Sequence, residues 1–150
     1  MKRLTATIMS TAALALVLLA LAEHSSAADA PKAPPKDRVV AIYFHRTQRC
    51  PTCLKMGSYT EEAIKAGFAK QLKDRAVEFH YIDFQKKKNA AYAKAYRVTG
   101  PALIVAKVTD NKVTEFKNLK DIWTNVNDKK AFIKYVQDPI RAYREKDAAK

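Results

Sequence analysis

Apolar and polar positions follow two different periods along the chain. Residues 39–44 are almost continuously apolar and rich in strand-forming side chains, which is typical of a strand covered on both faces. Residues 77–82 alternate in polarity and predict a second strand. Residues 103–108 and 112–116 predict two further strands, and the intervening Thr109-Asp110-Asn111 favours a hairpin between them.

Helical spacing of apolar residues separates these strands. Residues 51–73 form the longest such segment, within which Gly57 and Gly67 could bend or break a helix. Residues 89–96 are rich in alanine, the strongest helix former, and predict a short helix.

The last part of the chain also has a helical pattern. Asp128 can cap a helix, and Asp138-Pro139 then has the form of a fresh cap followed by a first helical residue. We therefore expect a second helical piece after Pro139. The predicted order is β-α-β-α-β-β-α, with a right-handed parallel first crossover and an antiparallel last pair. This order predicts an α/β fold with a central four-stranded mixed sheet flanked by helices.

The beginning of the chain has a different composition. Lys2 and Arg3 precede an uncharged apolar run that ends at Ala22, and small residues follow at Ser25-Ser26-Ala27, which predicts a signal peptide over residues 1–27. Residues 28–37 contain three prolines and predict an extended tether to a domain at residues 38–147. We expect an exported, soluble protein of the periplasm or another extracytoplasmic compartment. The alternative is an uncleaved apolar anchor, the only case in which membrane contact is expected.

Composition and charge narrow the classes of function. The chain has 150 residues, enough for one domain with one core, and a formal net charge of +13. A basic surface can attract nucleic acid, anionic lipid or an acidic partner, but no nucleic-acid motif accompanies it, and we expect no nucleic-acid partner. The chain has three glycines and no dinucleotide or flavin fingerprint, so no bound cofactor is expected.

The chemistry is concentrated in Cys50-Pro51-Thr52-Cys53, which holds the only two cysteines of the chain. Residues three apart on the first turn of a helix lie on one side of it. A sulfur at a helix N-terminus is placed where unpaired N–H groups favour a thiolate, so Cys50 should have a lowered pKa and act as nucleophile. Cys53 is then placed to resolve a mixed disulfide. Pro51 suits the first helical position, where no N–H is needed.

Two other interpretations of the cysteine pair remain open. A structural disulfide would close so short a loop that it would stabilise the fold little. A structural zinc site usually needs four ligands, although His45 and His80 could add to the two sulfurs. We predict no such metal site, and keep as the alternative function a non-enzymatic dithiol protein that binds a soft metal or arsenite.

Three basic side chains precede the first cysteine. His45, Arg46 and Arg49 would each favour the Cys50 thiolate if the side chain faces the sulfur. We predict that the helix N-terminus contributes most and that these residues tune the thiolate further.

A strand followed by CxxC and a helix resembles the thioredoxin-like superfamily. Residues 43–55 (YFHRTQRCPTCLK) resemble most closely the exported ArsF-type proteins, described as nitrophenyl compound nitroreductase subunits. A looser resemblance extends through Gly100-Pro101 to the C-terminal helix. It implies a minimal thioredoxin-like core, a redox-active Cys50–Cys53 disulfide and a protein thiol or disulfide as partner. Because no flavin fingerprint is present, the chain could pass electrons to a flavin-bearing reductase subunit.

The resemblance also implies a substrate-binding loop. Gly100, Pro101 and Ala102 resemble the cis-proline loop that lies beside the nucleophile and pairs with an extended substrate. The spacing is one residue shorter than usual, so Ala102 could occupy the proline's place.

Other positions depart from the family or have a structural interpretation. Phe44 stands where thioredoxins carry a buried acid, and Arg49 stands where they carry tryptophan, so deprotonation of Cys53 would need His45 or water as acceptor. Asp83 is predicted to serve a turn or a helix cap. Trp123 is predicted to pack in the core with its neighbours rather than to form a binding platform.

Overall fold

The first strand, β1 (Arg38–His45), lies inside the sheet, as its apolar sequence predicts. It pairs in parallel with β2 (Val77–Asp83) and antiparallel with β3 (Ala102–Thr109), and β3 pairs antiparallel with β4 (Lys112–Asn118). The order across the sheet is therefore β2-β1-β3-β4. The six central residues of both inner strands are buried, whereas β4 is exposed along nearly all of its length.

The structure is a computed structural model that describes residues 33–148. These residues fall within one compact unit. The predicted signal peptide (residues 1–27) and the first half of the predicted tether (residues 28–32) lie outside the described residues. No helix in the described part of the chain is long and apolar enough to cross a bilayer.

Four α-helices accompany the sheet in the described residues. They are α1 (Pro51–Lys73), α2 (Ala90–Ala95, preceded by a 3-10 turn at Lys87–Asn89), α3 (Ile122–Asn125) and α4 (Lys129–Ala148). The predicted α/β class, with a four-stranded mixed sheet flanked by helices, is confirmed. The predicted order β-α-β-α-β-β-α is also confirmed apart from the short helix α3, which was not predicted.

The two faces of β1 serve two clusters of apolar side chains. Val39, Ala41 and Tyr43 point into the larger cluster with α1 and α4, and this cluster includes Cys53. The alternate residues, among them Phe44, point into a smaller cluster on the opposite face. This division follows from the period of two along a strand.

Helix α1 bends where α4 packs against it. Phe68 has φ −140° and ψ 32°, outside the helical range. The buried Gln137 side chain of α4 donates a hydrogen bond to the Ala63 carbonyl at 2.8 Å, and it fills the space that a Gly67 side chain would need. The predicted bend near Gly67 is therefore confirmed, and an inserted side chain explains it.

The predicted break at Asp138-Pro139 is wrong, because α4 continues through Pro139. The Asp138 carboxylate is paired with Lys134 and Arg141 on the same helix instead of capping a new one. A proline inside a helix costs one backbone hydrogen bond. The buried side chains on both sides of it, Val136 and Ile140, hold the helix against the core.

The predicted hairpin turn is confirmed. Asp110 and Asn111 have φ values of 48° and 62°, as the two central residues of a type I′ turn require. The start of β1 supports this turn, because Asp37 accepts a hydrogen bond from the Asp110 N–H and Arg38 donates one to the Asn111 side chain.

Candidate functional site

Cys50 is the N-cap residue of α1. Its backbone is extended (φ −74°, ψ 161°), and Pro51 is the first helical residue. The Cys53 backbone N–H donates to the Cys50 sulfur at 3.2 Å. The sulfur thus occupies the position that a serine or aspartate oxygen takes in an ordinary N-cap, where it satisfies an unpaired helix N–H.

The two thiols differ in exposure and in acidity. Cys50 is exposed, whereas Cys53 is 6% exposed and packs in the larger cluster. A hydrogen bond from the Cys53 side chain, followed by backbone N–H groups of the first turn, lowers the pKa of Cys50. Burial raises the pKa of Cys53, and its hydrogen bond to Cys50 raises it further. This arrangement suits an attacking thiolate beside a protonated second thiol.

Arg49 is half-buried and packs against two tyrosines next to the cysteines. Its guanidinium lies over the rings of Tyr43 and Tyr81, with the central carbon 5.7 and 5.3 Å from the ring centres. Nη2 also donates to the Cys53 carbonyl at 3.4 Å. Among the described residues the buried Nε has no hydrogen-bond partner. The Arg49 charge lowers the pKa of Cys53, which partly opposes the effect of burial. Its predicted effect on the Cys50 thiolate stays a prediction.

His45 and Arg46 occupy different surroundings. The Nδ1 atom of His45 lies 2.8 Å from the Arg46 carbonyl, and its ring is 6.2 Å from that of Tyr81. Arg46 is exposed and lines the hollow in front of Cys50. Thiolate tuning by these two residues also stays a prediction.

Asp83 has the turn role that its position predicted. Its carboxylate accepts hydrogen bonds from the Thr47 hydroxyl at 2.7 Å and from the Gln85 N–H at 3.0 Å. The Thr47 hydroxyl contributes most to lowering the pKa of this carboxyl group. These contacts join the loop after β1 to the loop after β2, and so fix the approach to Cys50.

Pro101 lies beside the cysteines, and the peptide bond before it, whose isomer the resemblance left open, is trans. It lines the hollow that contains Cys50, whereas Gly100 and Ala102 line an adjacent hollow. All peptide bonds among the described residues are trans. Strand β3 begins at Ala102, so Pro101 stands directly before the ladder, where its missing N–H is tolerated.

Trp123 is a residue whose role sequence reasoning missed. Its neighbours Leu119 and Ile122 are fully buried as predicted, but Trp123 is 45% exposed and lines both hollows. Adjacent residues on the short helix α3 point in different directions, so only one of them can face the core. The pair Ile122-Trp123 at consecutive positions was the signal that could have revealed this.

Two tyrosines of the sheet donate hydrogen bonds to the first turns of α1, and sequence reasoning did not predict this role. The Tyr43 hydroxyl donates to the Cys53 carbonyl at 2.8 Å, and the Tyr81 hydroxyl donates to the Gly57 carbonyl at 2.7 Å. Burial raises the pKa of Tyr81 to about 12, and burial also raises the pKa of Tyr43. Both hydroxyls therefore stay protonated at neutral pH and act as fixed donors. Strand alternation places Tyr43, not Phe44, on the side of Cys53.

Metal ligands are sparse in the described part of the chain. It contains no group of three or more histidine, cysteine or acidic side chains placed to hold a metal ion. His80 is exposed and lies 3.3 Å from a Glu78 carboxylate oxygen. A metal or arsenite would therefore rely on the two thiolates, Cys50 and Cys53.

The four-stranded mixed sheet and its flanking helices form a thioredoxin-like fold, with both cysteines at the start of α1. Similar solved structures include Fasciola hepatica thioredoxin, with 22% identity over 61% of this chain and 81% of that chain, and a TM-score of 0.39. Mitochondrial thioredoxin 3 from Saccharomyces cerevisiae has 20% identity over 69% of this chain and 80% of that chain, with a TM-score of 0.41. A mutant thioredoxin from Halobacterium salinarum NRC-1 has 21% identity over 71% of this chain and 75% of that chain, with a TM-score of 0.40.

No family model and no curated protein sequence matches the chain. With TM-scores of 0.39 to 0.41, these similarities carry no argument about the chemistry of the site. The ArsF-type resemblance stays a hypothesis.

Proposed function

We propose that the protein is an exported thiol–disulfide oxidoreductase. The observation that carries the proposal is the unequal pair of thiols at the start of α1. Cys50 is exposed with a lowered pKa, and Cys53 is buried with a raised pKa. A structural disulfide needs no such division between the two sulfurs.

In the reducing direction, the Cys50 thiolate attacks a sulfur of the partner disulfide. A bond forms between Cys50 and that sulfur while the partner's S–S bond breaks, and the other partner sulfur leaves as a thiolate. Cys53 then loses its proton to water or to His45 and attacks the Cys50 sulfur. The second partner thiolate leaves, the Cys50–Cys53 pair is oxidised by two electrons, and the partner is reduced by two. In the oxidising direction the same steps run in reverse, and the difference in reduction potential decides between them.

The proposed setting is outside the cytoplasm, with a protein thiol or disulfide as partner. Residues 1–27 support export through their basic start, apolar run and small residues. The ArsF-type resemblance supports a flavin-bearing reductase subunit as one such partner. N-terminal sequencing of the protein recovered from a soluble extracytoplasmic fraction should give a start after Ala27 or Ala28. Recovery of the intact leader in washed membranes would favour the anchor instead.

Insulin reduction in the presence of dithiothreitol tests the chemistry. The wild type should accelerate reduction, and Cys50→Ser should abolish the acceleration. Cys53→Ser should accumulate a mixed disulfide through Cys50, because the resolving sulfur is gone. Equal rates with the wild type and Cys50→Ser would reject the oxidoreductase. In that case, arsenite-dependent protection of both thiols from alkylation would support the dithiol-binding alternative.

A further inference from the structure

The hollow in front of Cys50 continues into a second one. The first has a volume of about 670 Å³ and the second about 190 Å³. Pro101 and Trp123 line both, so the two hollows meet at these residues and form a groove that starts at Cys50. We call it the basic groove, because arginine and lysine side chains line it.

The charges along the basic groove have one sign. Arg46 and Arg49 line its first part, and Arg97 and Lys120 line its second. None of the described residues that line either part is aspartate or glutamate. Arg46, Arg97 and Lys120 are exposed, so their charges face whatever occupies the groove, whereas Arg49 is half-buried against two tyrosines.

Arg97 is held at the groove in a conformation that arginine rarely adopts. It ends helix α2 with φ 53°, in the left-handed region that favours glycine. Its N–H bonds to the Lys94 carbonyl at 3.1 Å, and the Val98 N–H bonds to the Ala93 carbonyl at 2.8 Å. This pair of bonds is a Schellman motif with arginine in the usual glycine position. The motif fixes the direction in which the chain leaves α2 and so places Arg97 beside the groove.

We propose that the basic groove binds an acidic peptide segment next to the reacting cysteine of a substrate protein. This proposal rests on the proposed oxidoreductase function and names its substrate class. Carboxylates in the segment face Arg46, Arg97 and Lys120, and the exposed Trp123 ring takes an apolar side chain of the same segment. The reaction is the same thiol–disulfide exchange, in which the Cys50 thiolate attacks a substrate sulfur.

The net charge of +13 would by itself attract any acidic molecule, so the test must separate the groove from the rest of the surface. Three peptides of equal length would carry one cysteine as a pyridyl disulfide and four flanking glutamates, glutamines or lysines. Release of pyridinethione by reduced Cys53→Ser protein gives the rate of attack by Cys50 on each. We expect the acidic peptide to react fastest and the basic peptide slowest, with a ratio that falls as salt is added.

The decisive measurement is the same ratio in two charge variants. Arg46→Gln with Lys120→Gln removes two groove charges. The matched control, Lys70→Gln with Lys73→Gln, removes two charges from the last turn of α1, roughly 30 Å along the helix from Cys50. A charge about 7 Å from a charged group in water changes a rate about threefold. Loss of two such charges should slow the acidic peptide about ninefold and speed the basic peptide about ninefold, so the groove variant should lower the acidic-to-basic ratio about 80-fold. The control should lower it less than twofold.

Each outcome decides one question. Equal rates with the three peptides, or equal losses in the groove variant and the control, overturn the acidic-segment proposal and leave the oxidoreductase intact. No release from any peptide, with circular dichroism showing a folded protein, overturns both. A ratio lost only in the groove variant establishes the substrate class.

Discussion

Replacing Gly57 with alanine should destabilise the protein, although alanine is normally the better helix former. Gly57 is buried within α1, one turn after Cys53. A Cβ atom there would clash with Nη2 of Arg49 and would lie 3.1 and 3.2 Å from the rings of Tyr81 and Tyr43. The guanidinium would have to leave its place over the two rings. The glycine thus makes room for the arginine.

The expected magnitude follows from these contacts. Alanine gains about 1 kcal/mol of helix propensity over glycine. Displacing Arg49 loses two cation–π contacts of about 0.5–1 kcal/mol each. The displacement also breaks the hydrogen bond from Arg49 to the Cys53 carbonyl. Hydrogen bonds contribute about 0.5–1.5 kcal/mol to stability, and this one should lie at the low end because it is long. We expect Gly57→Ala to lower the free energy of unfolding by about 1 kcal/mol.

A double-mutant cycle with Arg49→Ala tests the cause. In the Arg49→Ala background no guanidinium has to move, so Gly57→Ala should be neutral or stabilising by up to about 1 kcal/mol. The two substitutions should therefore be coupled by about 1–2 kcal/mol. Urea unfolding followed by far-UV circular dichroism measures this, with a slope of about 1–2 kcal/mol per molar for a domain of this size. A coupling below about 0.5 kcal/mol would refute the proposed competition for space.

Three further predictions concern ionisation and backbone conformation. The pKa of Tyr81 is raised to about 12, so between pH 10 and 12 the unfolded chain binds fewer protons than the folded one. Stability should therefore fall as pH rises through that window, and less so in Tyr81→Phe, as urea midpoints at each pH would show. The pKa of Asp83 is lowered, so the contribution of its carboxylate to stability is fully present above about pH 3.9, the ordinary pKa of aspartate, and is lost as the pH falls through the lower pKa of the folded state. Thr47→Val should reduce this loss of stability in acid, measured in the same assay. Arg97→Gly should stabilise the fold by about 1 kcal/mol in thermal unfolding, because glycine adopts positive φ freely, whereas Arg97→Ala should bring no such gain.

The sequence predicts what local patterns determine. The apolar run of residues 39–44 became the buried centre of β1, and the cysteine spacing placed Cys50 at the start of a helix. Both are decided by period and by turn chemistry within a few residues. The hairpin at Asp110-Asn111 follows for the same reason.

The features that the sequence did not reveal depend on contacts between distant segments. Pro139 does not end α4, because buried side chains before and after it hold the helix on the core. Trp123 lies at the groove because its neighbour Ile122 takes the inward position. Arg49 directly precedes the first cysteine in the sequence, yet its surroundings come from β1, β2 and a glycine on α1. A single sequence does not reveal which of the basic side chains before Cys50 has room to pack against two aromatic rings.

Trp123 also gives the groove an optical probe. It is the only tryptophan of the chain and 45% exposed, so all of the indole emission comes from the place where Pro101 and the two hollows meet. An occupant that removes water from the ring should shift the emission to shorter wavelength, without any label. Because Cys50 lines the same hollow, a disulfide formed there would lie near the indole and should quench it. Fluorescence of the unmodified protein can thus follow both occupancy and oxidation in real time.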